Sequence, residues 1–251
     1  MKFKTKLGEY HSVETQDGHF TLYSGAYEEN CHSTSGAYTE TLHNYVHGCD
    51  VIDRANKSPI NILEIGFGVG LGVLATYKET SECKHQITFI TTEIDPELAH
   101  WVIGQDSFTQ IITTKTVSDE RIELQLGNKF KVIILLGDAR ETIKLLALED
   151  YRIDCIYQDA FSPRHNPSLW TYEHFMNLRS ICTNDCVMTT YSAAVKIRKA
   201  ILNSGFFVTN MKGFGNKRSG TRAFTNIVFQ DLKVEDTIRR SQTPPLTDKD
   251  I

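Results

Sequence analysis

A chain of 251 residues, 40% apolar and 23% charged, can bury one substantial core, which excludes collagen-like and wholly disordered classes. No apolar run is long enough to cross a bilayer, the amino end MKFKTKLGEYHSVETQ has no signal-peptide core, and six scattered cysteines form no disulfide framework. A soluble cytoplasmic protein with free thiols is expected, with no membrane contact. The net charge of −4 is unevenly spread: residues 186–230 hold no Asp or Glu but seven cations, Lys196, Arg198, Lys199, Lys212, Lys217, Arg218 and Arg222. The remainder carries 20 cations against 31 acids, or −11. Such segregation suits one face turned toward an anion.

In chain order, residues 1–58 read as an N-terminal β-plus-helix extension packing on the core. The pieces KFKTKL and HFTLYSGAY precede a helix-like stretch, YTETLHNYVHGCDVIDRA. His43 and His47 stand four apart, a spacing that suits two ligands on one helix face, but no third ligand motif accompanies them, so no metal is expected. From residue 59 to 230 short apolar runs alternate with crossover lengths: INILEIG, QITFITTEI, KVIILLGD, IDCIYQD, DCVMTTY and FFVTNM. Runs apolar on both faces belong to a parallel sheet covered by helices, and the class predicted is α/β, doubly wound and mostly parallel.

Between the runs, Asp95 with Pro96, Asp138 and Ser192 are cap candidates for helices, and Gly205 ends the last of these. RIELQLGNKFKVIILLGD predicts a hairpin around Gly127-Asn128, and RAFTNIVFQ a hairpin partner for FFVTNM. Cys182 and Cys186 could form a redox or metal pair, but beside CVMTTY they read as buried structural thiols. Residues 231–251 are polar with a Pro pair, and a loose tail is expected there.

Three strand ends carry chemistry. ILEIGFGVGLG ends a strand in Gly66, Gly68 and Gly70, where missing side chains let a ligand press on the backbone at a helix N-terminus. A dinucleotide fingerprint would need glycine at Leu71, so that reading fails. The second strand ends at Glu93, an acid placed for two ribose hydroxyls, and the third at Asp138, placed for an exocyclic amine such as adenine's.

This order, with Glu64 inside the first motif, resembles class I S-adenosylmethionine-dependent methyltransferases over roughly residues 59 to 230. The resemblance implies a Rossmann-like sheet, S-adenosyl-L-methionine as cofactor, and Glu64 at its methionine end. Asp159 ends the fourth strand, facing the transferable methyl group in that fold, where it can take a proton from an amine acceptor.

DAFSPRHNPSLW, TTYSAAVKIRKAILNSGF and KGFGNKR further resemble the methyltransferase domain of the MnmC family, through Asp159, Phe161, Pro163, Asn166, Pro167, Trp170, Tyr191, Ala193, Ala194, Arg198, Gly213, Phe214, Gly215, Lys217 and Arg218. Departures are Gln158 and Ala160 flanking the aspartate and Ser219 after the basic pair. The resemblance implies a tRNA methyltransferase that converts 5-aminomethyl(-2-thio)uridine at the wobble position to its methylamino form, with a separate enzyme acting upstream. Phe161 and Trp170 would meet the base, and Arg164, Arg198, Lys217 and Arg218 the phosphates. CHSTSGAYTET resembles a further family element, in which Cys31 replaces a tyrosine and His32 and Glu40 are weaker site candidates. His165 has no assigned role. Rival readings are a spermidine synthase-type aminopropyltransferase, which would want a second acid where Ala160 stands, a small-molecule amine methyltransferase, and a non-catalytic RNA-binding module.

Overall fold

The apolar runs form strands whose successive residues enter different cores. Val132 and Ile134 pack on one side of the sheet while Ile133 and Leu135 pack on the other; Ile62 and Leu63, Phe89 and Ile90, and Cys155 and Ile156 divide in the same way. A strand apolar on both faces must be covered on both faces, which places this sheet at the centre of the molecule. The computed structural model describes residues 1–215 and 218–251.

Among the described residues, thirteen strands make two sheets. The first is antiparallel, with β1 (Lys2–Lys4), β2 (Glu9–Glu14), β3 (Phe20–Ser24) and β4 (Glu29–Asn30) in sequential order. The helix-like stretch that follows is not one helix. It divides into α1 (Ala37–Thr41), a π-helical turn Leu42–Val46 and α2 (Val51–Ala55), with a break where Asp50 takes φ 53°.

The second sheet is built from β5 (Ile60–Ile65), β6 (Ile87–Glu93), β7 (Ile112–Val117), β8 (Arg121–Leu126), β9 (Phe130–Leu136), β10 (Ile153–Gln158), β11 (Cys182–Thr190), β12 (Phe207–Lys212) and β13 (Ser219–Phe224). Its order is β12-β13-β11-β10-β5-β6-β9-β8-β7. The five central strands run parallel and both edges are antiparallel hairpins. The hairpin at Gly127 forms as the sequence predicts, and β7 adds a second one outside it. Helices α3 (Leu71–Glu79), α4 (Pro96–Ile103) and α5 (Asp106–Thr109) contribute to one core, and α6 (Ala139–Leu148), α7 (Tyr172–Ser180), α8 (Val195–Asn203) and α9 (Leu232–Arg240) to the other.

From β5 the chain winds outward through β6 to β9, then returns to the other side of β5 as β10. The crevice beyond the carboxyl ends of β5 and β10 is therefore the topological switch point, where open α/β sheets bind ligands.

Two expectations about the helices change. Helix α8 starts at Val195 rather than behind a Ser192 cap, because Ser192 N–H donates to Thr190 Oγ1 and its carbonyl accepts from Thr221 Oγ1. The C-terminal segment is ordered into α9, which buries Ile238, and it returns to bury Leu246 and pair Asp248 with Arg140. Its sparse apolar residues fall at the positions facing the core, and the many polar residues between them hid that pattern.

Asp95 explains how the first sheet is held. Its Oδ1 caps α4 through the N–H groups of Glu97 and Leu98, while Oδ2 accepts from Thr5 Oγ1 at 2.5 Å and Tyr10 OH at 3.0 Å. Phe3 stacks on Trp101 with ring centroids 4.4 Å apart. One carboxylate thus joins the N-terminal sheet to the element that follows β6, and this brings the sheet over the crevice.

Candidate active site

The β5–α3 turn carries glycines at three left-handed positions. At Gly70, with φ 74°, a Cβ would fall 2.7 Å from the Phe108 ring, so only glycine fits. Gly66 and Gly68 lie on the wall of a cleft that is open to solvent on one side. Glu93, Asp138, Asp159 and Phe161 share this wall. Residues separated by almost a hundred positions in sequence meet there because parallel strands end together.

Glu93 is 7% exposed, and its oxygens accept from Gly68 N–H at 3.1 Å and Asp95 N–H at 2.9 Å. Burial pushes its carboxyl up to about 7 against the pull of those bonds. Asp138 lies just past β9, exposed, with Oδ1 capping α6 through Arg140 N–H at 2.8 Å. Two acids at adjacent strand ends and a side-chain-free turn thus share one cavity wall.

Asp159 sits opposite, where β10 ends. Tyr45, on the π-helical turn, donates to its Oδ1 at 2.5 Å, and His32 Nε2 lies 3.8 Å from Oδ2. Burial lowers His32 to about 4, so the imidazole is neutral at pH 7. The loop after Asp159 is tied to the N-terminal sheet, since Ser162 N–H donates to Glu29 Oε2 and Phe161 stacks on Tyr27 with centroids 4.5 Å apart. Glu40 is buried and accepts from Ser33 N–H at 2.8 Å, which shapes the loop that carries His32.

Several site candidates stand elsewhere. Glu64 is 2% exposed and lies behind the glycine turn, with Oε2 accepting from Thr91 Oγ1. Burial holds its carboxyl well above the usual range, and its Oε1 lies close under Gly72 at the start of α3. Trp170 is fully buried; its Nε1–H donates to Phe161 O at 2.7 Å and its ring packs edge-on against Tyr191, so it shapes the loop and cannot stack on a base. Arg198 is committed internally, donating to Thr221 Oγ1, Asn210 Oδ1 and Gly220 O. That network locks the β12–β13 hairpin to α8 and leaves the guanidinium little to offer a phosphate.

The basic stretch is correspondingly reduced. Lys199 donates to the carbonyls of Ser241 and Thr243, and Arg222 pairs with Asp50. Arg164 and Arg218 are exposed, and Lys217 lies outside the described residues. Gln158, one of the departures beside Asp159, is buried: its amide donates to Leu169 O and its carbonyl meets His174 Nε2 at 3.3 Å.

Tyr10 and Tyr27 on the cavity wall, and Tyr45 behind it, escaped the sequence reading. Alternation marks Tyr10 as inward-facing, but nothing local says that the surface beneath it is a ligand site. Among the described residues, no helix is long and apolar enough to cross a membrane, and no group of three or more His, Cys, Asp or Glu side chains is placed to hold a metal ion.

The model of the S-adenosyl-L-methionine-dependent methyltransferase family matches residues 103–226, which include Asp138 and the whole Asp159 loop. Bifunctional MnmC proteins of tRNA 5-methylaminomethyl-2-thiouridine biosynthesis are 28% identical over 222 residues in Azoarcus sp. and 27% over 218 residues in Paraburkholderia phymatum. The chain carries an MnmC-like methyltransferase domain. Its cofactor is S-adenosyl-L-methionine.

The matches cover 82% and 79% of this chain but only 34% and 32% of those proteins, so the MnmC-like domain spans about a third of their length. An uncharacterized protein of Methanocaldococcus jannaschii is 26% identical, across 92% of this chain and 64% of its own length. Among solved structures, MNMC2 from Aquifex aeolicus shares the fold with TM-score 0.69 and 23% identity, covering 99% of this chain and 76% of its own. Spermidine synthase from Thermotoga maritima shares it at TM-score 0.59 and 13% identity, covering 98% and 80%. The MnmC-like domain and the aminopropyltransferases thus have one architecture, and side chains at the site must distinguish their chemistry.

Proposed function

We propose that this chain methylates the amine of 5-aminomethyl(-2-thio)uridine at the wobble position of tRNA, in the cytoplasm. One observation carries the reading. A single carboxylate, Asp159, stands at the end of β10 on the same cavity wall as the glycine turn, and its chain neighbour is Ala160, not a second acid. A diamine has two cationic ends to satisfy, whereas a 5-aminomethyl group brings one. The names of the MnmC relatives support a tRNA substrate, and a separate enzyme would supply the aminomethyl group.

S-adenosyl-L-methionine, when bound, supplies a methyl group already activated on a sulfonium. The protein then has to bind, align and manage one proton. Gly66 and Gly68 leave room for the cofactor's backbone-facing edge, Glu93 accepts its ribose hydroxyls and Asp138 its adenine amino group. Asp159 removes the proton that an alkylammonium carries at neutral pH, which frees the nitrogen lone pair for attack. Phe161 and Tyr27 wall the base, and Arg164, Lys217 and Arg218 provide cations for phosphates at the rim.

The test is nucleoside mass spectrometry of tRNA from cells lacking the gene, together with methylation of that tRNA by purified protein. The 5-aminomethyl nucleoside should accumulate in the deletion and be converted in vitro. An unchanged wobble profile sinks the reading, and turnover of a free diamine with decarboxylated cofactor would favour aminopropyl transfer instead.

A further inference from the structure

Asn166 is the only side-chain amide among the described residues that line the cavity, and no step of the methyl transfer uses it. It stands at the far end of the loop that begins at Asp159. That loop is held by its own hydrogen bonds. Ser162 N–H donates to Glu29 Oε2 at 2.8 Å, while Ser162 O accepts from His165 N–H at 2.9 Å and Asn166 N–H at 2.8 Å, so the chain folds back between Pro163 and Pro167. Further on, Leu169 O accepts from the Gln158 amide and Trp170 Nε1–H donates to Phe161 O. Asp159 and Asn166 are thereby fixed on one wall.

The amide itself is oriented. Ser168 Oγ donates to Asn166 Oδ1 at 2.9 Å, which engages the oxygen and leaves the nitrogen to turn the other way. Among the described residues Nδ2 has no hydrogen-bond partner, and the side chain is half-buried. Tyr27, Ala160, Phe161 and Leu169 make the surrounding wall largely apolar, a setting in which a mismatched polar edge of a ligand is costly. His32 offers no substitute donor, since its Nδ1 meets Thr21 Oγ1 at 3.4 Å and its Nε2 lies 3.8 Å from Asp159 Oδ2.

We propose that Asn166 is a specificity-determining residue: its Nδ2–H donates to the 4-carbonyl oxygen of the uracil, on the ring edge that also carries the aminomethyl group, and so selects uridine over cytidine. The inference rests on the amine-acceptor reading of the site. C4 and C5 are neighbours in the pyrimidine ring, so a base whose aminomethyl nitrogen reaches Asp159 brings its C4 substituent to the same loop. Uracil has an acceptor at that position, whereas cytosine has an amino group. Two N–H groups facing each other leave both unmatched in an enclosed site, and edge contacts of this kind are how single-stranded bases are read.

Anticodon stem-loops carrying 5-aminomethyluridine or 5-aminomethylcytidine at the wobble position provide the test. Wild type should favour the uridine stem-loop by about 10-fold or more in kcat/KM. Asn166→Ala should lose about 10-fold on the uridine stem-loop and bring the two within about 3-fold of each other. Asn166→Asp, which accepts where asparagine donates, should reverse the preference. A purely structural asparagine would lower both substrates together and leave their ratio unchanged. Calorimetric titration with S-adenosylmethionine should give wild-type affinity for both variants, which shows that they fold. If wild type methylates neither stem-loop, the amine-acceptor reading fails, and the affinities of protein loaded with S-adenosylhomocysteine for the two stem-loops still decide the role of Asn166. Equal affinities in wild type, or a uridine preference that survives Asn166→Asp, overturn that role.

Discussion

Glu93→Gln separates what the site needs from what the fold prefers. In the folded protein, burial pushes the Glu93 carboxyl from 4.5 up to about 7. Between those values the folded chain holds a proton that the unfolded chain releases, so stability falls as pH rises through this window. The full difference is about 3 kcal/mol, at about 1.4 kcal/mol per pH unit.

Gln is neutral and nearly isosteric, so it removes that penalty above pH 7. It has one carbonyl oxygen where the carboxylate has two, so either the Gly68 or the Asp95 N–H loses its acceptor, at about 1 kcal/mol. The cofactor-free variant should therefore be more stable than wild type by about 2 kcal/mol at pH 8 and no more stable at pH 5. Cofactor binding should change the other way. A carboxylate can accept from both ribose hydroxyls, and losing one charged bond of about 2 kcal/mol weakens affinity about 30-fold.

Urea denaturation from pH 5 to 8.5 and calorimetric titration with S-adenosylmethionine at pH 8 measure the two effects. A variant no more stable than wild type at pH 8 would refute the burial argument. Unchanged cofactor affinity would refute the ribose assignment.

Gly72→Ala should cost about 2 kcal/mol or more, since its Cβ would fall 1.6 Å from Glu64 Oε1 and the buried acid must move; an unaltered melting temperature contradicts this packing. Arg198→Ala should destabilise the protein by about 2 kcal/mol while leaving the salt dependence of tRNA binding intact. Arg218→Glu should do the reverse, making the salt slope shallower by about one without loss of stability, and a shallower slope for Arg198→Ala instead would restore that residue to the phosphate contacts.

Much of the site was readable without coordinates because its chemistry lies at strand ends. Strand ends are marked in sequence by the step from β-branched apolar residues to Gly66, Glu93 and Asp159. Period and polarity are local properties, and the parallel order of β5, β6, β9 and β10 then requires those ends to meet. Trp170 and Arg198 were misread for one shared reason: an aromatic and a cation have the same identity whether they face a ligand or the protein's own backbone. Only packing places Trp170 beneath Phe161 and spends Arg198 on Asn210, Thr221 and Gly220. The tyrosines lie at the far limit of legibility. Tyr45 is 114 residues from Asp159, and no local pattern links them. The sequence by itself determined the fold class, the glycine turn and the acids at the strand ends, because these depend on residue type and short-range order. The tertiary structure alone decided which side chains surround Asp159, because that depends on a π turn and a small sheet brought over the crevice through Asp95.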